Sequence, residues 1–450
     1  MFSCTKETHE SSIIPQVREF IPSQSFFLLE DFMIYSDSAS KSVAELLLIE
    51  LGKLSYDIDS IYPFDDPMNE QSINLLIDSS LNDHPEYYEL YIYKKRILIK
   101  AADRLGIIHG IYTLIQLIPR SLGIDDHKIA CLSIKDKPKF KWRGMLLDCS
   151  RHFMDINFIK RYIDLLAFHK MNVLHLHLTE DQSWRIEIKQ YPKLTSIGSL
   201  RKQKDGSLYG GFYSQAQITD IIYYASQRGV SVIPEIELPG HCLAALAAYP
   251  EYSCSGGPFE VETDWGVFKE IYCAGNDQTY TFLENILDEV ISLFPSEYIH
   301  IGGDEVPKYR WERCEKCISR MVDQELEDVH ELQSYFIQRI ETYLNKKGKK
   351  IIGWDEILEG GLAQDATVQS WRSFEGAAQA AKMGHDAIVS PTSHAYFDYN
   401  LNAIDLKKVY SFDPIPEGLS KKESLHIIGG ECNMWSERAP QDKIDSKVFP

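Results

Sequence analysis

The chain has 450 residues, of which 44% are hydrophobic and 25% charged, the balance of a globular protein rather than a disordered or membrane-embedded one. Its 66 Asp and Glu against 47 Lys and Arg leave a formal net charge of −19, which repels nucleic-acid phosphates and anionic lipid and so disfavours polyanion binding. At this length one small core is too little, and two or three domains or one large barrel with an appendage are expected.

No stretch reaches the roughly 18 to 20 apolar residues of a membrane span. Met1 to Glu7 passes into polar residues without the apolar segment of a secretory signal. Phe2-Ser3-Cys4 before a polar tail resembles the end of a bacterial lipoprotein signal whose upstream part is missing. Two compartments therefore stay open, periplasmic or lipid-anchored on one side and cytoplasmic on the other. Residues 1–22, polar with Pro15 and Pro22, read as a lead-in. Residues 23–137 read as a small α+β supporting domain: a strand near 26–35, a helix near 40–54 and a strand at 73–77. A hairpin of 88–93 with 96–100 turns through Lys94-Lys95, and a helix follows near 103–117. No group of reactive side chains gathers in this domain.

Asp136-Lys137-Pro138-Lys139 marks a charged boundary. Residues 138–450 then carry eight apolar runs, at 144–149, 172–178, 230–236, 298–301, 350–354, 366–371, 387–390 and 427–435. Helical periodicity at 158–171, 218–228, 280–293 and 329–346 lies between them. Buried strands alternating with helices in that number predict an α/β fold, a (β/α)8 barrel preceded by the small α+β domain. After Glu437 only residues 438–450 remain, so the last barrel helix is expected to be missing, which would leave the outer face of the eighth strand uncovered.

Chemistry in such barrels sits where the strands end. The ends read Asp148-Cys149-Ser150-Arg151-His152, His177-Leu178-Thr179-Glu180-Asp181, Glu235-Ile236-Glu237-Leu238-Pro239-Gly240-His241 and Gly302-Gly303-Asp304-Glu305. The other four carry Trp354-Asp355-Glu356, Gln369-Ser370-Trp371, Tyr396-Phe397-Asp398 and Trp435-Ser436-Glu437. Any one tip is more often a capped loop or a core aromatic. Acids and three tryptophans converging on one mouth form a candidate catalytic cavity.

Nine cysteines are an odd number, from which no disulfide framework can be read. Cys314-Glu315-Lys316-Cys317 has CxxC spacing, but no second CxxC completes a four-ligand zinc set, and a local disulfide or two free thiols are expected. Cys254 and Cys273 flank Gly256-Gly257-Pro258 and could close that loop with a bridge in an oxidising compartment.

His300-Ile301-Gly302-Gly303-Asp304-Glu305 resembles the signature of glycoside hydrolase family 20, the β-N-acetylhexosaminidases. Pro239-Gly240-His241 and Trp142-Arg143-Gly144 with Ser150-Arg151-His152 support it, and the resemblance spans nearly the whole chain. It implies a retaining exo-β-N-acetylhexosaminidase acting on glycans or chitooligosaccharides with a terminal N-acetylhexosamine, without a cofactor. By the same resemblance Glu305 is the general acid/base and Asp304 orients the 2-acetamido group. Tyr396 would bond the acetamido oxygen, Arg143, Asp398 and Glu437 would hold sugar hydroxyls, and Trp354, Trp371 and Trp435 would wall the pocket. Glu180 stands where many members have Asp, and the loop 400–411 contains no Trp.

Adjacent residues on one strand approach a substrate from the same side, so Asp304 and Glu305 are poorly placed as acid and opposing nucleophile. A nucleophile supplied by the substrate's own acetamido group removes the difficulty. Glu305 must then start protonated, and a raised pKa is expected of it. His175-x-His177 has a rival reading as part of a catalytic metal site. The preferred reading places no metal there and puts His177 or His241 with Glu180 in a hydrogen-bonded chain behind Glu305. A third reading is a sugar-binding barrel without turnover.

Overall fold

The computed structural model describes residues 13–58, 60–64, 71–81, 84–119 and 127–449, and the Phe2-Ser3-Cys4 motif lies outside them. The described chain divides into two compact units. One is built from the residues up to Lys139 together with Ile163–Met171 and Ser226–Val230, and the other from the remainder.

The first unit holds a mixed seven-stranded sheet in the spatial order Glu19–Leu28, Lys128–Asp136, Tyr88–Ile92, Arg96–Ala101, Ser72–Ile77, Met33–Ser36, Ile61–Pro63. The expected hairpin is present, with Leu90 opposite Ile99 and Ile92 opposite Ile97, all four buried. Burial alternates along both strands, as a sheet packed on one face requires. Helices Lys41–Lys53 and Arg104–Leu117 accompany the sheet, and the second begins where the Asp103 carboxylate accepts the Gly106 N–H at 2.8 Å. The first strand starts at Glu19, inside the stretch read as a lead-in. Its pairing with Lys128–Asp136 decides this, and Pro22 is tolerated because the strand lies at the edge, with a register shift between Pro22 and Phe26.

In the second unit eight parallel strands close into a barrel in chain order: Trp142–Asp148, Val173–His177, Ser231–Glu235, Tyr298–His300, Lys350–Trp354, Thr367–Ser370, Ala387–Val389 and Ile427–Met434. The last pairs with the first from Gly429 opposite Trp142 to Met434 opposite Leu147. An apolar plug of Trp142, Val173, Ile233, Ile352 and Ile388 fills the N-terminal end of the bore. Above it the interior turns polar. The register sets Asp148, His177, Glu235 and His300 side by side on four successive strands. Successive residues of a strand face opposite ways, so the inward His175 and His177 alternate with Leu174 and Leu176.

A helix does follow the eighth strand, Gln441–Val448, which corrects the expectation that it is missing. Its eight residues lie in a polar stretch with Ile444 as the one buried residue, too little apolar periodicity to read in sequence. Among the described residues no helix is long and apolar enough to cross a membrane.

Candidate active site

The fourth strand delivers the carboxylate pair through a turn that needs glycine. Gly302 and Gly303 have φ of 66° and 92°. A Cβ on Gly302 would collide with the Glu237 carboxylate, and one on Gly303 would lie 2.7 Å from Ile357 Cγ2. Glu305 itself sits at φ 46°, and His241, which faces it, at φ 47°. Non-glycine residues in this region are uncommon and persist where the surroundings hold them. The Glu305 side chain is 41% exposed and that of Asp304 15%, so Glu305 reaches toward the opening and Asp304 lies deeper.

Behind the pair runs a line of charged groups. His241 Nδ1 meets Glu180 Oε1 at 2.7 Å, while Nε2 faces Glu305 Oε2 at 3.5 Å and Asp304 Oδ2 at 3.8 Å. Glu180 also takes an ion pair from Arg151 at 2.8 Å. Of the two histidines considered, His241 is therefore the one that links Glu180 to Glu305. His177 also stands 3.6 Å from Glu180, but its hydrogen bonds go to Asp148 at 3.3 Å and Glu237 at 3.2 Å rather than to Glu305. Burial opposes a charge on His241, yet Glu180 and Asp181 outweigh it and hold its pKa well above the ordinary imidazole value. Glu180, against the effect of burial, is drawn down to about 2 by Arg151 and His241.

The pKa direction of Glu305 is the reverse of the one expected, and that of Asp304 is opposite to it. The His241 hydrogen bond lowers Glu305. Burial and then the Glu237 charge raise Asp304 well above the carboxylate range. Neither neighbour is close in sequence. Burial also lifts Glu237 and Asp398 to about 7, with Glu235 and Glu437 adding to it.

Tryptophan walls complete the cavity. Trp354 Nε1 donates to Glu235 at 2.8 Å and Trp371 Nε1 to Glu356 at 2.9 Å, which locks both ring planes. Trp435 lies 5.9 Å from Trp354 and 6.4 Å from Tyr396, centroid to centroid, and carries the Arg151 guanidinium 5.1 Å over its face. Below the cavity, His175 bridges Glu431 at 2.8 Å and Glu235 at 3.2 Å. The two histidines of His175-x-His177 share Glu235, 3.2 Å from His175 and 3.8 Å from His177, but only His175 reaches Glu431 and only His177 reaches Asp148 and Glu237.

Glu180, Asp304, Glu305, Trp354, Trp371, Tyr396, Asp398, Trp435 and Glu437 all line this one cavity, and His241 stands directly behind Glu305. Arg143 does not. It is the second residue of the first barrel strand, at the end away from the mouth, and its guanidinium donates to the Phe140 carbonyl at 2.8 Å. The arginine of the cavity is Arg151, just past the opposite end of the same strand. Glu237 and Tyr399 also line the cavity and were not anticipated. Position past a strand's C-terminal end was the available signal for Arg151, and the two-residue step from Glu235 the signal for Glu237.

A closed parallel barrel that gathers acids, a buried arginine and three tryptophans in one cavity at its C-terminal strand ends has the architecture of a carbohydrate-active barrel enzyme. Residues 140–450 match the model of glycosyl hydrolase family 20, catalytic domain, and residues 10–137 that of glycosyl hydrolase family 20, domain 2. The chain belongs to glycosyl hydrolase family 20. Its curated relatives include the β-hexosaminidase of Porphyromonas gingivalis (strain ATCC BAA-308 / W83), 41% identical over 459 residues that cover 98% of this chain and 59% of that protein. The β-hexosaminidase of Vibrio furnissii is 36% identical, over 81% of this chain and 63% of that protein. The chain thus spans less than two thirds of the length of these two relatives. Among solved structures, the family 20 exo-β-N-acetylglucosaminidase of Vibrio harveyi in complex with N-acetylglucosamine superposes with a TM-score of 0.88 at 31% identity, covering 98% of this chain and 72% of that one. The β-N-acetylhexosaminidase of Bacteroides fragilis NCTC 9343 gives 0.85 at 32% identity, covering 97% and 88%.

Proposed function

We propose that the chain is a retaining exo-β-N-acetylhexosaminidase that hydrolyses terminal β-linked N-acetylglucosamine or N-acetylgalactosamine from glycans or chitooligosaccharides. One observation carries the reading: Asp304 and Glu305 both face the same His241 nitrogen, at 3.8 and 3.5 Å, and so stand on one side of a tryptophan-walled cavity. A retaining enzyme with its own nucleophile sets its two carboxyls across the sugar, about 5 to 5.5 Å apart. Two carboxyls on one side suit a nucleophile that arrives with the substrate.

The acetamido carbonyl oxygen attacks the anomeric carbon and closes an oxazolinium ring. As the bond to the leaving oxygen breaks, Glu305 gives that oxygen its proton. The Glu305 carboxylate then takes a proton from water, whose oxygen attacks the anomeric carbon from the vacated face and reopens the ring. Two inversions give net retention. Asp304 faces the acetamido nitrogen and offsets the charge that develops on it. Tyr396 donates to the acetamido oxygen, Arg151, Asp398 and Glu437 hold sugar hydroxyls, and the three tryptophans exclude water. Entry of the sugar displaces water from Glu305, which raises its pKa, and brings an N–H to Asp304, which lowers its pKa. The relatives named β-hexosaminidase and the Vibrio harveyi complex with N-acetylglucosamine support this choice of sugar.

On a chromogenic N-acetylglucosaminide, Glu305→Gln is expected to lower kcat by about 10² to 10⁴. Asp304→Asn is expected to lower it by about 10² to 10³ with a smaller change in KM, because its charge acts mainly in the transition state. Cleavage of the matching glucoside, which lacks the acetamido group, at a comparable rate would overturn the mechanism.

A further inference from the structure

Four cysteines meet on the side of the barrel mouth formed by the loops after the third and fourth strands. Cys254 and Cys273 belong to the first of these loops. They are brought together by an antiparallel bridge of Ser253 with Tyr272 and by the Cys273 N–H, which donates to the Tyr252 carbonyl at 2.8 Å. Cys314 and Cys317 belong to the second, at the start of helix Glu315–Asp323. The four Sγ atoms all lie within 4.8 Å of one another, and all four cysteines are unbridged.

The spacings distinguish a metal site from disulfides. Cys254 to Cys317, Cys273 to Cys314 and Cys273 to Cys317 are each 3.7 Å, sulfur to sulfur. A tetrahedron of thiolates about zinc, with bonds near 2.3 Å, has edges of about 3.8 Å. A disulfide draws its two sulfurs to about 2.05 Å and leaves each sulfur a single partner. Cys273 instead stands equally far from Cys314 and Cys317. Soft thiolates in a four-sulfur tetrahedral set select zinc over hard cations.

The surroundings fit the same occupant. Cys273, Cys314 and Cys317 are buried, while Cys254 is partly exposed and leaves a path of entry. The Gly275 N–H is directed at the Cys273 sulfur. A Cβ on Gly275 would collide with the Lys316 carbonyl and the Cys317 nitrogen, so the segment 273–275 rests directly on the turn 314–317. Cys317 lies in the first turn of its helix, where the helix N-terminus favours a thiolate.

We propose that Cys254, Cys273, Cys314 and Cys317 form a structural zinc site that ties the loop carrying His241 to the loop carrying Glu305. The Trp311 Nε1 bond to the Tyr272 carbonyl at 2.8 Å and the Arg310 to Glu270 ion pair join the same two loops. The zinc is structural, because no atom of the catalytic pair or of the cavity lining belongs to this set.

The test is elemental analysis of the tag-free chain, expressed in zinc-containing medium and purified without chelator. About one zinc per chain is expected from a closed four-thiolate site, falling at least tenfold in Cys254→Ser/Cys317→Ser. Should that variant not fold, the wild-type chain suffices. Titration with a mercurial reagent should release the zinc to a chromogenic indicator only as four thiols react. Cobalt exchanged into the folded chain should show the charge-transfer absorption of a tetrahedral thiolate site. Release of the metal should lower the thermal midpoint by several degrees. Less than a tenth of an equivalent of zinc, iron in its place, or a non-reduced mass lighter by two hydrogens with a Cys254–Cys273 bridge would each overturn the proposal.

Discussion

Glu305 illustrates how one neighbour governs the behaviour of a residue. In the proposed reaction it works protonated, so the rate falls as pH rises through its pKa. The imidazolium of His241, 3.5 Å away, holds that pKa below the ordinary carboxylate value in the open cavity. His241→Gln removes the positive charge and leaves the Glu180 carboxylate in place. The pKa of Glu305 should then rise, and the alkaline limb of kcat/KM should move to higher pH even as kcat falls. In the wild type the alkaline limb of kcat should lie above that of kcat/KM, since the bound sugar desolvates Glu305. Rate profiles of the two proteins between pH 3 and 9 measure both effects. A limb that stays in place in His241→Gln would separate the two residues.

The turn after the fourth strand is the element on which the cavity depends. It must reverse direction within the space left by Glu237 and Ile357, and only residues without a Cβ fit at Gly302 and Gly303. Gly302→Ala adds a Cβ against the Glu237 carboxylate at a φ of 66° and is expected to destabilise the fold by about 1 to 3 kcal/mol. Urea unfolding measures this. Activity should fall further than stability predicts, because the Asp304 and Glu305 backbone moves with the turn. The loops after the third and fourth strands are joined by the Trp311 to Tyr272 bond, and the proposed zinc on the cysteine cluster would add a second tie.

Across the whole molecule, the barrel bore carries a buried network of ionisable groups rather than a wholly apolar core. His175 lies between Glu431 and Glu235, His300 bonds Glu235, and Trp142 Nε1 donates to Glu431 at 2.8 Å across 289 residues of chain. Burial works against a charge on His175, but Glu431 and Glu235 outweigh it and lift its pKa to about 9. A group whose pKa is raised on folding stabilises fully below its unfolded value, about 6.5 for imidazole, and loses that contribution as pH rises through the folded value. The thermal midpoint should therefore fall between pH 6.5 and 9, and by more in the wild type than in His175→Gln. Equal falls in both proteins would remove His175 from the account.

The amino-acid sequence by itself determined the eight strands, the small α+β unit ahead of them and the acids and tryptophans at the strand ends. These follow from local alternation and from the rule that barrel chemistry collects at one end, both of which act within a few residues. Tertiary structure decided whatever depends on partners far apart in the chain. Arg143 lies at the start of the first barrel strand and Arg151 just past its end, and only the strand's direction in the barrel shows that Arg151 faces the cavity. The strand from Glu19 exists because Lys128–Asp136 pairs with it, and the short last helix has too few apolar residues to be read. The opposed pKa directions of Asp304 and Glu305 come from burial and then Glu237 for the one and from His241 for the other, both neighbours lying in the loop after the third strand. The cysteines, two from each of two loops, show no four-ligand spacing until the barrel sets those loops side by side. Backbone pattern is a local property of the chain, whereas a charge or a ligand set is defined by whatever folding brings within a few ångströms.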